Sequence, residues 1–339
     1  MIFSRFFLSL LLALTLLAGC SSGDDDDDST AAETDDDDDD DNDDNDNNDD
    51  NDDNDDDEAT ACWADLPVGE KAIFAQGFDM SEGIAFSAAG ELFVANRTAV
   101  SLVQPDGTWA PIVDFVYPIG IAFAPDGDLY VCDFGASSLP APNDGAIYKI
   151  GPGYAKTLVA TGVANPNFIT YTPRGTFLVS DNETATIYEL TLGGELTHWL
   201  DGLVSPDGMV YSPDRQTLYV AGTIAPGSPL FAVSLDAAGL PLDFAVLAEL
   251  DKGSWPDGVA LDENGMVYVT ENLSGKIVRV DPATGDFTAL AAGMEGPASM
   301  AFGAGPDFDP CSLYVTELRG THVWRVSVGA HAYPLVAEE

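Results

Sequence analysis

Basic residues are scarce in this sequence. Only 12 Lys and Arg stand against 58 Asp and Glu among 339 residues, which gives a formal net charge of −46. Proteins that bind nucleic acid need clustered Lys and Arg against the phosphates, so the composition excludes nucleic acid as a partner. From Ala59 on, 34 acidic and 11 basic residues remain. That part of the chain is acidic by itself, and a cation suits it better than an anion.

Long apolar runs are scarce as well. One run near the N-terminus, in "MIFSRFFLSLLLALTLLAGCSSG", follows a single Arg and is short for a membrane span. It is typical of a secretory signal peptide, and its end, "LAGC", resembles the bacterial lipobox. We predict a lipoprotein signal peptide over residues 1–19 and lipidation of Cys20. The lipid would be the only membrane anchor of a cell-envelope protein, at the outer membrane because Ser21 follows, on its periplasmic face or at the cell surface.

Apolar residues are nearly absent from the next segment. Residues 24–58 contain 22 Asp, 2 Glu and no base. Such a composition cannot bury a core, and its like charges repel each other. We therefore predict that residues 20–61 are the lipidated Cys followed by a disordered, Asp- and Asn-rich linker, which acts as a solvated spacer.

Helical periodicity of useful length is missing too. From about Lys71 onward, short runs of alternating apolar residues are separated by Gly, Pro, Asn and Asp, which is typical of an all-β protein. One unit of four such runs recurs six times, about forty to fifty residues apart. This pattern predicts a six-bladed β-propeller with four-stranded blades over residues 62–339. The run "KAIFAQ" before the first unit is expected to pair with the last blade and close the ring.

Each unit places one residue just before its innermost strand, at the mouth of the central channel. These six residues are Glu82, Ile119, Asn167, Asp207, Asp257 and Ala298. Four of them carry a side-chain oxygen, and oxygens that converge on a narrow channel suit a hard cation. Pro-Asp-Gly is also a common turn signal, and capped strands with bound water remain an alternative. Turn chemistry would explain Asp207 and Asp257 but not Glu82 or Asn167.

The second strands predict another ring at the same face. They end in Asn96, Asp133, Asp181, Gly222, Glu271 and Glu317. We expect these residues to rim the mouth, unless they are only exposed strand ends.

Cysteines are few, namely Cys20, Cys62, Cys132 and Cys311. If Cys20 carries lipid, three remain in an oxidising compartment, so at most one pair forms. Cys62 lies just before the first outer strand and Cys311 in the last blade, where ring closure brings the ends together. We predict a disulfide between them and a free thiol at Cys132.

The propeller region resembles the senescence marker protein/gluconolactonase family, which includes regucalcin. The resemblance is carried by "SEGIAF", "NPN", "SPDGMVYSPDRQTLYV", "PDGVALDENGMVYV" and "GPASMAFG…SLYVTE". It implies a six-bladed propeller with one divalent cation in the channel and, in many members, hydrolysis of sugar lactones. The family's metal ligands match Glu82, Asp207 and Asp257, and its substrate-contacting Asn near the metal matches Asn167. Asp207 stands where the family usually has Asn.

Two functions follow as alternatives. The first is a monomeric, metal-dependent hydrolase of a lactone or sugar acid, in which Asp257 is both ligand and general base. The cation would be Ca²⁺, with Zn²⁺, Mg²⁺ or Mn²⁺ as alternatives. Tyr117 and Trp255 would wall the substrate pocket together with Asn165, which occupies the position of a sugar-binding Arg in the family. The missing Arg instead favours the second function, a non-catalytic tethered propeller that binds a ligand or a protein partner.

Overall fold

The chain forms six four-stranded antiparallel sheets, one at each sequence repeat, as predicted. The computed structural model describes residues 61–136 and 144–333. The predicted signal peptide, Cys20 and nearly all of the predicted linker lie outside the described residues. Within those residues, no helix is long and apolar enough to cross a membrane.

The strands follow the order of the repeats. One strand, β1 (Lys71–Gln76), precedes the first blade. Blade one contains β2 (Ile84–Phe86), β3 (Leu92–Asn96), β4 (Ala99–Val103) and β5 (Trp109–Asp114). Blade two contains β6 (Pro118–Phe123), β7 (Leu129–Asp133), β8 (Ala146–Gly151), a 3₁₀ turn (Pro152–Tyr154) and β9 (Ala155–Thr161). Blade three contains β10 (Pro166–Tyr171), β11 (Thr176–Asp181), β12 (Thr186–Thr191) and β13 (Leu196–Asp201).

The remaining blades have the same layout. Blade four contains β14 (Pro206–Tyr211), β15 (Thr217–Gly222), β16 (Pro229–Leu235) and β17 (Pro241–Glu249). Blade five contains β18 (Pro256–Leu261), β19 (Val267–Glu271), β20 (Lys276–Val280) and β21 (Phe287–Ala292). Blade six contains β22 (Pro297–Phe302), β23 (Ser312–Glu317), β24 (His322–Ser327) and β1.

The core lies between adjacent blades. The second strands are buried along almost their whole length, as in β15 and β19, because both of their faces pack against neighbouring sheets. Between blades four and five, for example, Val210 and Ala221 share one cluster with Val259 and Val269. The outer strands, such as β9 and β13, are mostly exposed instead, since only one of their faces is covered. The burial of a strand therefore decreases from the second strand of a blade to its outermost strand.

The ring closes at blade six. Strand β1 pairs antiparallel with β24, with Lys71 opposite Val326, so the prediction for "KAIFAQ" is confirmed. The last apolar run of the sequence, "AYPLVA", follows the pattern of a fourth strand for the sixth repeat, but β1 occupies that position. Of that run, Ala332 forms an isolated bridge with Asp262 in blade five, and its last four residues lie outside the described part of the chain.

A disulfide supports the closure. Cys62 and Cys311 are bonded, with their Cα atoms 5.1 Å apart, as predicted. Their separation of 249 residues implies a stabilisation of up to about 5 kcal/mol when only the entropy of the unfolded chain is considered. Cys132 is a buried free thiol. Burial, and then the charge of Asp133, raises the pKa of this thiol, so it is poorly reactive.

Candidate metal centre

The inner strands of blades four and five begin with a bulge. This bulge decides whether the Pro-Asp-Gly segments of these blades are turns or parts of strands. In blade four Pro206 lies opposite Gly222, but Met209 lies opposite Val220, so β14 carries one extra residue. Blade five has the same shift after Pro256. These two Pro-Asp-Gly segments are therefore strand starts and not turns. The expectation that the channel residue precedes the inner strand is wrong for five blades, where it is the second residue of the strand, and right for Glu82.

Each residue of the segment has a separate physical role. Proline lacks an N–H donor, which suits the first position of a strand, and a bulge re-aims the next side chain. The glycine allows the blades to approach closely: a Cβ atom on Gly208 would lie 2.3 Å from the carbonyl oxygen of Asp257. One on Gly258 would lie 2.6 Å from the carbonyl oxygen of Ala298. Only glycine fits at such a distance, so the channel is narrow where the aspartates stand.

One pocket at this end of the channel contains the four predicted oxygen donors. It encloses about 280 Å³ of space, part of it open to solvent, and its lining residues are Glu82, Tyr117, Ile119, Phe134, Asn167, Asp207, Asp257 and Leu318. All four donors are buried, with exposed fractions between 2% for Asp207 and 7% for Glu82. Three carboxyl groups and one amide thus share a confined volume.

Hydrogen bonds fix the two aspartates on the far side of the channel from Glu82. The Asp207 Oδ2 atom accepts from Asn167 Nδ2 at 2.9 Å and from Thr223 Oγ1. The Asp257 Oδ2 atom accepts from Asn272 Nδ2 at 3.1 Å. These bonds use one oxygen of each carboxylate, Oδ2, and hold its plane in place.

A further donor orients Asn272. The Arg319 guanidinium donates from Nη1 to Asn272 Oδ1 at 2.6 Å and from Nη2 to the Asn272 carbonyl oxygen. Because the Asn272 amide oxygen accepts from the Arg319 guanidinium, the amide nitrogen must face Asp257. Arg319 therefore acts on the Asp257 carboxylate indirectly, through the side chain of Asn272.

Glu82 differs from the aspartates. Its Oε2 atom is buried and has no hydrogen-bond partner among the described residues. A buried carboxylate oxygen without a partner is costly, and it is the orphaned acceptor expected where a cation would bind. The residues present therefore fit a hard divalent cation.

Electrostatics agree with this interpretation. Burial raises the pKa of Glu82 well above its usual range, and the charges of Asp257 and Asp207 raise it further. Burial and then Asp257 likewise raise the pKa of Asp207, against the hydrogen bonds from Thr223 and Asn167. Burial raises the pKa of Asp257 to about 7, opposed by Asn272 and Arg319. A bound cation would reverse these shifts, because it stabilises the ionised carboxylates.

The three channel carboxylates do not all lie within 4.8 Å of one another. In the described part of the chain, one group of three potential ligands has its atoms within 4.8 Å of one another, namely Cys62, Cys311 and His331. Its sulfurs are joined in the disulfide, so it offers no thiolates. The channel carboxylates are therefore spread more widely. Ligands on opposite sides of Ca²⁺ lie about 5 Å apart, given bonds of about 2.3–2.6 Å, so wide spacing suits this ion.

Only one of the three expected wall residues lines the pocket. Tyr117 does, whereas Trp255 and Asn165 are not among the lining residues, which corrects that expectation. Trp255 has a left-handed backbone with φ of +57°, unlike Tyr117 at the equivalent position, so its side chain leaves the backbone in another direction. The Asn165 amide instead donates to Glu183 Oε2 at 2.7 Å.

The second predicted ring is displaced by one residue. Asp133 accepts from the Tyr117 and Val116 amides at 2.8 and 3.1 Å, and Asp181 accepts from the Ala164 amide at 3.0 Å. Equivalent bonds join the two glutamates at the ends of β19 and β23 to the Asp251 and Glu295 amides. We call these four residues the clasp acids: Asp133, Asp181, Glu271 and Glu317. They hold the loops between blades and do not line the pocket.

The residues that sequence reasoning missed come directly after the second strands. They are Phe134 and Leu318, which line the pocket, and Thr223 and Asn272, which bind the aspartates. Because successive side chains of a strand point to opposite faces, moving the predicted ring by one residue would have found all four. Arg319 lies one position further on.

Part of the chain matches a known family. Residues 175–319, less than half of the chain, match the sequence model of the SMP-30/Gluconolactonase/LRE-like region. The match includes Asp207 and Asp257 but not Glu82 or Asn167.

Two curated relatives are similar over shorter segments. Pentonolactonase XacC of Haloferax volcanii is 27% identical over 42% of this chain and 47% of its own length. Gluconolactonase of Zymomonas mobilis is 29% identical over 25% of this chain and 26% of its own. The alignments thus span less than half of the length of either relative.

Solved structures share the fold. The gluconolactonase XC5397 of Xanthomonas campestris superposes with a TM-score of 0.63 at 21% identity, over 76% of this chain and 89% of its own. Regucalcin of Agrobacterium tumefaciens, described as calcium-binding, gives 0.62 at 19% identity, over 79% and 96%. The chain is therefore a six-bladed propeller of the kind seen in these two proteins, with distant sequence similarity to two lactonases over part of its length.

Proposed function

We propose that the chain belongs to the SMP-30/gluconolactonase family and is a divalent-cation-dependent lactone hydrolase. The observation that carries this proposal is the convergence of Glu82, Asp207, Asp257 and Asn167 in one partly open pocket, where one Glu82 oxygen has no hydrogen-bond partner among the described residues. Three buried acids that are not paired with bases are costly in a structural role. They are explained by a cation and a reaction at the mouth of the channel.

The same four residues would hold the cation. Glu82 and the two aspartates supply carboxylate oxygens, and Asn167 has its Oδ1 atom available because Nδ2 is bound to Asp207. An all-oxygen set favours Ca²⁺, with Mg²⁺ and Mn²⁺ as alternatives. Zn²⁺ is less suited, because no His or Cys lines this pocket.

When bound, a divalent cation polarises an ester carbonyl and lowers the pKa of a bound water. Asp257 is proposed to act as ligand and as general base. Its Oδ2 atom is occupied by Asn272, so Oδ1 is the atom that takes the proton from the attacking water. Tyr117 excludes water from one side of the pocket. The product of ring opening is a hydroxy acid.

The test uses the full chain with Cys20→Ser, which removes the predicted lipid site. The protein is stripped with a chelator, and its melting temperature and its hydrolysis of a lactone panel are measured with and without Ca²⁺. We expect Ca²⁺ to raise the melting temperature by mass action and to be required for hydrolysis. Asp257→Ala should abolish both effects, whereas Asp243→Ala, an exposed acid in β17, should change neither. If Ca²⁺ leaves the wild-type melting temperature unchanged, the metal site is wrong.

A non-catalytic propeller is the second candidate. It is favoured by Asn165, which stands in place of a sugar-binding Arg and is held by Glu183. Ca²⁺-dependent stabilisation without turnover of any lactone would support this candidate over the hydrolase.

We also propose that the protein is anchored to the bacterial cell envelope through Cys20, as a monomer. This proposal is supported by the lipobox alone. Wild-type protein should fractionate with membranes and the Cys20→Ser variant should not. Membrane association of a correctly cleaved variant would contradict it.

A further inference from the structure

One side of the pocket is apolar. Its residues, which we call the apolar sector, are Tyr117, Ile119, Phe134 and Leu318. The rings of Tyr117 and Phe134 meet edge to face, with centroids 5.8 Å apart and planes at 76°. Ile119 and Leu318 are buried, with 4% and 7% of their surface exposed. These side chains form a defined wall.

The pocket is divided by blade. Blades three, four and five supply the oxygens of Asn167, Asp207 and Asp257, whereas blades two and six supply the apolar sector. Blade one lies between these last two, since β2 packs against both β6 and β22. Glu82 therefore has apolar neighbours on both sides. A ligand at the cation would extend toward blades two and six.

This wall does not suit a sugar. Each hydroxyl of a polyhydroxylated lactone loses water on binding, and burial without a new hydrogen bond costs about 1–3 kcal/mol in proteins. Among the described lining residues, the Tyr117 hydroxyl is the one polar side-chain group outside the four oxygen donors. Asn165, which stands where the family's sugar-binding Arg would be, is turned to Glu183. Val116, beside Tyr117 in the same loop, is 58% exposed.

We propose that the substrate is a lactone with an apolar substituent, alkyl or aryl, and not a polyhydroxylated sugar lactone. This inference depends on the proposed function and narrows its substrate class. The substituent packs against Phe134 and Leu318, and the ester faces the oxygen donors. In the reaction, the water oxygen bonds to the carbonyl carbon, the ring C–O bond breaks and the ring oxygen takes a proton. The products are a single hydroxy carboxylate, which carries both the new carboxylate and the new alcohol, and one proton.

The test compares kcat/KM for three substrates: a pentyl-substituted δ-lactone, unsubstituted δ-valerolactone and glucono-δ-lactone. An apolar pocket discriminates about 10–200-fold for a single methylene. We therefore expect the pentyl lactone to exceed glucono-δ-lactone by more than about tenfold. Polar substitutions in the apolar sector should weaken the preference for the pentyl lactone. Phe134→Asn and Leu318→Asn should each lower the ratio of pentyl lactone to valerolactone by about tenfold, and the conservative Leu318→Met should largely keep it.

A matched control is available on the outer surface. Leu158 in β9 is 55% exposed and does not line the pocket, so Leu158→Asn should leave all three rates unchanged. Preference for glucono-δ-lactone would overturn the inference while leaving the hydrolase proposal intact.

A binding measurement keeps the two proposals separable. If no lactone is hydrolysed, the proposed function fails, and the ligand class is then decided by calorimetry in Ca²⁺ with two non-hydrolysable lactams, one pentyl-substituted and one derived from the sugar. Tighter binding of the pentyl lactam would support the apolar class. Tighter binding of the sugar lactam, or no binding of either, would overturn it.

Discussion

The two rings of acids in this propeller differ in their partners and not in their burial. The channel acids are Glu82, Asp207 and Asp257, and the clasp acids end four of the second strands. Asp207 is 2% exposed and Asp133 is also 2% exposed. Asp133 accepts three backbone N–H bonds, from Val116, Tyr117 and Gly135. The clasp acids are thus compensated by the fold itself.

The channel acids lack this compensation. Glu82 has one oxygen without a partner, and the pKa values of all three are raised by burial. Among the clasp acids, Glu271 also has an oxygen, Oε2, without a hydrogen-bond partner in the described part of the chain, but the Lys276 ammonium lies 3.1 Å from it and compensates its charge. The hydrogen-bond and ion-pair partners of a buried acid therefore distinguish a structural acid from a functional one, which burial alone does not do.

The largest expected effect is the pH dependence of the metal-free protein. Because the folded pKa of the channel acids is raised, the folded state binds more protons than the unfolded state above pH about 4. Their contribution to stability is present in full below the unfolded pKa and is lost as pH rises through the folded pKa, which is about 7 for Asp257. We expect the free energy of unfolding to fall between pH 4.5 and 8, by on the order of 4 kcal/mol from this group.

Urea unfolding in chelator at several pH values measures this loss. Ca²⁺ should flatten the profile, because it stabilises the ionised acids. The Asp257→Asn variant should show a weaker dependence than wild type. A metal-free profile that rises with pH over this interval would contradict the assignment.

The second largest effect is expected when a clasp acid is removed. Asp181 accepts from the Ala164, Glu183 and Thr184 amides and is fully buried. Asp181→Ala leaves these donors without an acceptor, so we expect a loss of about 3–4 kcal/mol in the free energy of unfolding. Urea denaturation checks this value, and Asp181→Asn, which keeps one acceptor, should lose less. A change below about 0.5 kcal/mol would show that the clasp is not structural.

A smaller effect is expected from the residue that supports Asp257. Asn272→Ala removes the donor to Asp257 and frees Arg319. Residues that orient a metal ligand typically contribute 10–100-fold to affinity, so calorimetry should show Ca²⁺ binding weakened by about that factor. Asn182, which follows the second strand of blade three, is the matched control and does not line the pocket. Equal effects of Asn182→Ala and Asn272→Ala would refute the positioning role.

The smallest effect concerns one charge. Asp207→Asn keeps an acceptor for Thr223 and removes one of three buried, mutually repelling carboxylates. We expect the metal-free protein to gain about 1 kcal/mol and to bind Ca²⁺ more weakly. Thermal unfolding without Ca²⁺ tests the expected gain in stability, and thermal unfolding with Ca²⁺ tests the expected loss of binding. Metal-free destabilisation would indicate that the charge of Asp207 has a structural role.

Much of the candidate site could be predicted because a repeat fixes equivalent positions. Six aligned units place Glu82 and Asp257 at corresponding points of the ring, and the structure puts both in one pocket. The bulge at the start of each inner strand was not predictable, because Pro-Asp-Gly is compatible with a turn as well. The second ring was set one residue too early, at Asp133 instead of Phe134, since a strand's apolar run does not reveal which face its last residues present.

The sequence by itself determined the architecture: six repeats of four period-two runs, their spacing, the closing strand β1 and the Cys62–Cys311 pair. These features depend on local patterns and on chain connectivity, which a sequence contains. The tertiary structure alone decided which acids are compensated. Whether Glu82 meets an amide, a base or nothing depends on backbone atoms from distant repeats, and no local pattern encodes those distances. The division of the pocket into oxygen donors and an apolar sector arises in the same way, when ring closure brings blades two and six to either side of blade one.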